Sequence, residues 1–320
     1  MFHSQSDGVD SAAARPSSTR LWRLFLSALV AAAGLLGCLR PVVAETVGDR
    51  LWIWGHPASV YNGSFLRPTK LVSTIEPVDA AEHMGLKNMI FVRYSGKPPA
   101  PFDAHYAPFR KLDRVYWSLV AAGGGTSQVD RDAAFSLAEK NNNVAGFILD
   151  DFFHEPPVGN AADGPDRPFR ASLSPAELHA LGQRQVRGGK LPLMAVIYTG
   201  QVKPGARAHI AEVDQLCLWT WRPEDLTHLE TNFAALEKLA PGKPLYLGCY
   251  MFDFNACKPL PVALMQRQTE LGFQWLKAGR IAGMIFLATP NVDVGLEAVE
   301  WTRQWIRANA GQTLPTRRSF

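Results

Sequence analysis

The stretch Ala145-Gly146-Phe147-Ile148-Leu149-Asp150-Asp151-Phe152-Phe153 is an apolar run that ends in two adjacent carboxylates. Apolar residues at successive positions describe a strand covered on both faces, as in a parallel sheet. A charged pair at the C-terminal end of such a strand is where α/β barrels and open α/β sheets place their chemistry. Two carboxyl groups side by side are costly to bury, because each pushes up the other's pKa. The plain alternative is a carboxylate that caps the next helix or ties down a loop. Recurrence of the same strand type along the chain favours function.

Seven further runs rich in aromatic and β-branched residues flank this one: 50–55, 88–94, 114–120, 193–198, 215–221, 244–251 and 282–288. Between them lie helix signals: Pro77 with Gly85 as a stop, Asp130 to Lys140, and Ser174-Pro175-Ala176-Glu177 opening a helix that ends near Gly188-Gly189. Pro223 to Leu239, Pro261 to Lys277 and Val294 to Ala308 are the others. Eight strand–helix units predict a single-domain (β/α)8 TIM barrel over residues 45–312. An open doubly wound sheet is the alternative, and the even spacing favours closure. The segment from His154 to Ser172 is a long Pro/Gly/Asn/Asp-rich loop expected over the barrel mouth, and residues 313–320 read as a flexible tail.

The 320 residues are 47% hydrophobic and 19% charged, as in an ordinary globular protein with a large core. Arg20 and Arg23 precede the apolar run Leu24 to Leu36, and Pro41-Val42-Val43-Ala44 offers small residues for cleavage, so residues 1–44 read as a signal peptide. The apolar core is shorter than the ~20 residues a spanning helix needs. This predicts a secreted or periplasmic protein. A second option is Leu35-Leu36-Gly37-Cys38, which would leave a lipid on Cys38 and a peripheral membrane attachment. Four arginines and two aspartates fall in that leader, and the rest carries 29 basic against 27 acidic residues with no basic run, so nucleic acid is a poor partner. Cys217, Cys249 and Cys257 lack disulfide-scaffold or zinc spacing; a Cys249–Cys257 bridge and unpaired thiols both fit.

In a barrel the C-terminal strand ends converge on one site. Those ends supply Trp54 and His56 (first strand), Arg93, Tyr94 and Lys97 (second), Ser118 or Gly123-Gly124-Gly125 (third), and Asp150, Asp151, His154 and Glu155 (fourth). The fifth adds Tyr198 and Gln201, and the sixth Trp219, Trp221, Arg222, Glu224 and Asp225. The last two add Tyr250 and Asp253, then Thr289, Asn291 and Asp293. Aromatics mixed with acids suit a sugar, whose C–H faces pack on rings while its hydroxyls bond to polar groups. Glycosidic cleavage needs two carboxyl groups across the bond. Asp150 or Asp151 would be one, and Asp225, Glu224, Asp253 or Glu155 the other. Structural readings stand beside these: Trp52 and Cys217 as packing, Glu224 and Asp225 as first-turn acids, Arg93 as an ion pair for Asp150 or Asp151, and His56 and His154 as surface residues. Strand alternation predicts that at most one of Asp150 and Asp151 points into the site.

On these residues, about Arg50 to Ile306 resembles the glycoside-hydrolase-type (β/α)8 barrels of secreted bacterial proteins in architecture and site chemistry. The acid ending strand four and the acid after strand six are similar to the pattern of the α-galactosidase-like barrels. That resemblance implies Asp150 or Asp151 as nucleophile and Asp225 or Glu224 as acid/base. The chitinase pattern D-x-x-D-x-D-x-E is not followed, since Ile148 and Phe153 stand where acids belong. The H-x-x-x-H metal motif of polysaccharide deacetylases is missing as well.

The expected function is therefore a glycosidase acting on an oligo- or polysaccharide through a carboxylate pair, without a cofactor. Substrate contacts are expected from Trp54, His56, Arg93, Tyr94, Tyr198, Trp219, Trp221, Tyr250 and Asn291. The alternatives are a metal-dependent hydrolase using Asp150, Asp151, His154 and Glu155, and a non-catalytic carbohydrate-binding barrel.

Overall fold

A computed structural model describes residues 44–154 and 169–315. The leader through residue 43, with Cys38, lies outside the described residues, as do Glu155 with most of the long loop, and residues 316–320. All eight expected strands form: β1 (Leu51–Gly55), β2 (Asn88–Phe91), β3 (Arg114–Val120), β4 (Val144–Leu149), β5 (Leu193–Tyr198), β6 (Gln215–Trp219), β7 (Leu245–Tyr250) and β8 (Gly283–Leu287). Each pairs in parallel with its chain neighbours, and β1 pairs with β8 in the register Leu51↔Met284 to Trp54↔Leu287, which closes the barrel. Every residue of β1, β2, β7 and β8 is buried, as expected of strands covered inside and out.

The helices are α1 (Pro77–Met84), α2 (Asp103–Tyr106), α3 (Gln128–Lys140), α4 (Pro175–Gly182), α5 (Arg207–Glu212), α6 (Leu229–Leu239), α7 (Val262–Lys277) and α8 (Glu297–Asn309). Ser127 caps α3 by accepting from the Asp130 N–H, and Ser174 and Glu177 form the capping box that opens α4. α4 stops earlier than its sequence suggests. Gly188 and Gly189 serve instead in a tight turn with Val186, where Arg187 and Gly188 take φ values of 50° and 77°. The tail expected from residue 313 is likewise anchored at its start: Thr313 bridges Thr46, and the Leu314 N–H donates to Glu45 O at 2.8 Å. The two ends of the long loop pair as a short hairpin, Phe153–His154 with Arg170–Ala171, and a second hairpin, Phe252–Asp253 with Lys258–Pro259, follows β7. Cys217, Cys249 and Cys257 are unpaired thiols, the first two buried.

The barrel interior is filled by large rings set against glycines. Trp52 meets Tyr116 and Tyr246 edge to face with ring centroids 5.3 and 6.4 Å apart. Toward the C-terminal end Trp54 meets Trp219 at 5.3 Å, and Trp219 meets Tyr250 at 4.9 Å. Trp219 fits because β7 carries Gly248 beside it: a Cβ there would lie 2.2 Å from the indole carbons. Gly248→Ala forces the Trp219 ring to move, an overpacking change that costs roughly 1–3 kcal/mol. A thermal melt should show Tm lower by about 2–10 °C, and an unchanged Tm would mean that the ring has free space to retreat into.

Candidate active site at the barrel mouth

The chain turns sharply at the end of β4. The Asp150 N–H still bonds to Val120 O at 3.2 Å, but Asp151 takes φ 43°, in the left-handed region that Asp tolerates better than most residues. Strand alternation therefore ends at Leu149, and both carboxyl-bearing residues line one cavity of about 440 Å³. The expectation that at most one of them faces the site fails for this reason.

Asp151 is held at two points. Its Oδ1 accepts from the Tyr198 hydroxyl at 2.7 Å, and its Oδ2 accepts from the Gly123 N–H at 2.7 Å. Gly123 and Gly124 take φ of 76° and 75°, and a Cβ on Gly124 would lie 2.6 Å from the His154 ring. The triple glycine after β3 is thus the close approach that lets a backbone amide reach Asp151. Asp150 is 6% exposed. Burial, with the Asp151 charge next to it, pushes its carboxyl well above the usual range. The phenols of Tyr61, Tyr198 and Tyr250 are pushed up by burial and stay neutral.

Aromatic rings surround the pair. Tyr94, Tyr61, Phe254, Tyr250, Trp221 and Tyr198 form a chain of contacts along the wall, with centroids 5.3–6.1 Å apart, over Trp54 and Trp219. His56 is buried, not a surface residue. Its Nε2 accepts from the Trp54 indole N–H at 3.0 Å, which leaves the proton on Nδ1 to donate to Val92 O at 2.9 Å. Burial drives its pKa down to about 4, so it is neutral with both nitrogens engaged. It borders the cavity as a brace for Trp54, without a free nitrogen for substrate.

A second cavity of about 470 Å³ shares Asp151, Tyr198 and Trp221 with the first and adds Gln201, Arg222 and Asp225. Of the expected partner acids, Asp225 borders this second cavity. Glu224 is exposed beside it, at the start of the turn that leads into α6. Asp253 closes its own hairpin, accepting from the Ala256 N–H at 2.9 Å with Lys258 Nζ 3.9 Å away, and lines neither cavity. Arg93 is turned outward: it pairs with Asp130 at 2.8 Å, donates to Pro98 O at 2.9 Å and lies over the Phe102 ring. Its acidic partner is neither Asp150 nor Asp151. Asn291 is buried in the turn after β8, accepting from the Ala288 N–H at 3.4 Å, and does not reach the cavity. His154 faces Ser172 at 3.2 Å on its hairpin and lines neither cavity, and no group of three or more His, Cys, Asp or Glu gathers among the described residues. Tyr61, Phe65 and Phe254 are site residues that the strand-end reading missed; the only signal was the aromatics of the loops after β1 and β7.

No family model matches the chain, and no curated protein does either. Among solved structures, it is similar to a candidate α-L-fucosidase from Bacteroides thetaiotaomicron, with 12% identity over 85% of this chain and 97% of that one and a TM-score of 0.51. It is also similar to the PgaB (BpsB) glycoside hydrolase domain from Bordetella bronchiseptica, at 10% identity over 79% and 98% of the two chains (TM-score 0.46). A third is a glycoside hydrolase family 17 β-1,3-glucanosyltransferase from Rhizomucor miehei, at 12% identity over 74% and 86% (TM-score 0.43). At 12% identity the likeness to the first of these concerns the fold alone.

The burial of Asp150 has a thermodynamic sign. A carboxyl whose folded pKa lies above its unfolded value near 3.8 holds a proton that the unfolded chain releases, so it withdraws stability as pH rises past about 4. Asp150→Asn mimics the protonated form. Its Tm relative to the parent should rise between pH 4 and pH 7, and a gap that stays constant or narrows would show that Asp150 ionises in the folded protein.

Proposed function

We propose that this protein hydrolyses O-glycosidic bonds of an oligo- or polysaccharide held in the barrel mouth. The observation that carries the reading is a pair of neighbouring carboxyl groups in one aromatic-walled cavity, Asp150 buried and Asp151 held by the Tyr198 hydroxyl and the Gly123 N–H. Pairs of acids whose environments push their pKa values apart are how one site obtains both an acid and a base. Asp150, proton-bearing and buried, acts as general acid on the leaving oxygen. Asp151, fixed by Tyr198 and Gly123, supplies the negative carboxylate on the anomeric side, as nucleophile or as base for water. The glycosidic C–O bond breaks, its oxygen takes the Asp150 proton, and a proton of the entering water ends on a carboxylate. Asp225, across the adjoining cavity, is the competing acid/base. The fold shared with glycoside hydrolases is compatible with this chemistry, and the leader-like residues 1–44 support export to where polymeric glycans occur.

A glycan-hydrolysis screen of the purified protein tests the assignment. Asp150→Asn and Asp151→Asn should each lower kcat by about 100-fold or more, the range of a lost acid or base, whereas Asp225→Asn should leave most activity. If Asp225→Asn abolishes turnover while Asp150→Asn is mild, the acid sits after strand six. Sugar binding without turnover of any glycan would make this a binding barrel.

Trp221 provides a separate check. Its side chain is 37% exposed, so little of the core depends on it, yet it borders both cavities. Trp221→Ala should raise KM about tenfold, as for loss of one stacking ring, with Tm nearly unchanged. A large fall in Tm at constant KM would make it a packing residue.

A further inference from the structure

The N–H donors around the mouth cavity are committed to protein partners. The Trp54 indole N–H is committed to His56, the His56 Nδ1–H to Val92, and the Trp219 indole N–H to the Cys217 sulfur. The Gly123 N–H and the Tyr198 O–H are both committed to Asp151. What faces the space is the carboxyl groups of Asp150 and Asp151, the hydroxyls of Ser95, Tyr61, Tyr94 and Tyr250, and the π faces of the rings.

The charges are lopsided. No Lys or Arg lines this cavity among the described residues, and no ion pair among them includes Asp150 or Asp151. Arg93, the nearest basic residue by strand order, is spent on Asp130. His56 is neutral by burial. An anion in a half-dry cavity without a cationic partner is costly until something pairs with it. A sugar hydroxyl is donor and acceptor at once and gains nothing special here, and a sugar carboxylate would meet only negative charge. An ammonium is purely a donor, is drawn to a carboxylate, and is attracted to the faces of aromatic rings, more strongly when desolvated.

We infer that the sugar accepted in the mouth cavity carries a free amino group, so that the substrate is a glycan with deacetylated hexosamine units. The inference rests on the glycosidase reading of the same cavity and adds the class of sugar to it. The ammonium sits between the Asp151 carboxylate and the rings of the wall. The second cavity, which is lined by Arg222 as well as Asp225, is not selective in this way.

Three cavity tryptophans, Trp54, Trp219 and Trp221, supply the readout. Intrinsic fluorescence is titrated at pH 6 with glucosamine, galactosamine, their N-acetyl forms, glucose, galactose and glucuronate, and with short oligomers of glucosamine and N-acetylglucosamine. The amino sugars should bind about tenfold or more tightly than their N-acetyl and neutral counterparts, and Asp151→Asn, shown to be folded by its melt, should erase that preference. Equal or tighter binding of the acetylated, neutral or acidic sugars by the wild type overturns the inference and leaves the glycosidase reading standing. Retention of the full preference by Asp151→Asn also overturns it. Failure of every sugar to bind overturns both. The wild-type comparison decides the matter even if the variant does not fold.

Discussion

Two carboxyl groups on consecutive residues repel each other's ionisation when one of them is buried, and the mouth of this barrel is arranged around that constraint. Asp150 sits in the drier position, and burial pushes its carboxyl upward. Asp151 accepts two short hydrogen bonds, and each comes from a different strand end: Tyr198 from β5 and Gly123 from the loop after β3. Neither bond forms unless Asp151 adopts its left-handed backbone, and Gly124 must lack a side chain for the loop to approach. A locally unfavourable conformation persists only where its surroundings over-determine it. Here the surroundings are three neighbouring strands of a closed barrel.

The barrel supplies rigidity of a particular kind. Its upper interior is aromatic, and the rings lock one another: Gly248 makes room for Trp219, Trp219 meets Trp54, and Trp54 donates to His56, which donates to Val92. A site whose first layer of side chains is held by packing and by outer hydrogen bonds keeps its geometry without depending on mobile loops. This is why the wall can be built from loop residues such as Tyr61 and Phe254, which contact each other at 5.3 Å, while the floor belongs to β1 and β6.

The fold was legible because burial on both faces leaves a strong mark. Eight apolar runs at even spacing admit few architectures, and each run became a barrel strand. The site was legible only in part, for reasons that differ by residue. Trp54, Tyr94, Tyr198, Trp219, Trp221 and Tyr250 follow directly from their places at strand ends. Arg93, Asn291 and Asp253 also stand near strand ends, but Arg93 is engaged with Asp130 and Pro98, Asp253 with Ala256, and Asn291 is buried in its turn with its Oδ1 on the Ala288 N–H. No periodicity encodes which way a residue turns once its strand has ended. The alternation rule failed at Asp150 and Asp151 for the same reason, since it holds for extended backbone and Asp151 is not extended. Tyr61 and Phe65 lie in a loop without a repeat, and only the folded chain brings them to the cavity.

The fold leaves the chemistry open, because barrels of this kind host many reactions; the local charge inventory is what narrows it. His56 shows how tightly that inventory is controlled. A histidine so near Asp151 would ordinarily gain a proton from the carboxylate's attraction, and that attraction does raise its pKa here. Burial outweighs it and brings the pKa to about 4, and the indole donor from Trp54 occupies the nitrogen that would accept the proton. Were His56 charged, it would neutralise Asp151 from within and leave the cavity without a net field. Kept neutral, it leaves the negative charge of Asp151 directed at whatever occupies the space between the rings.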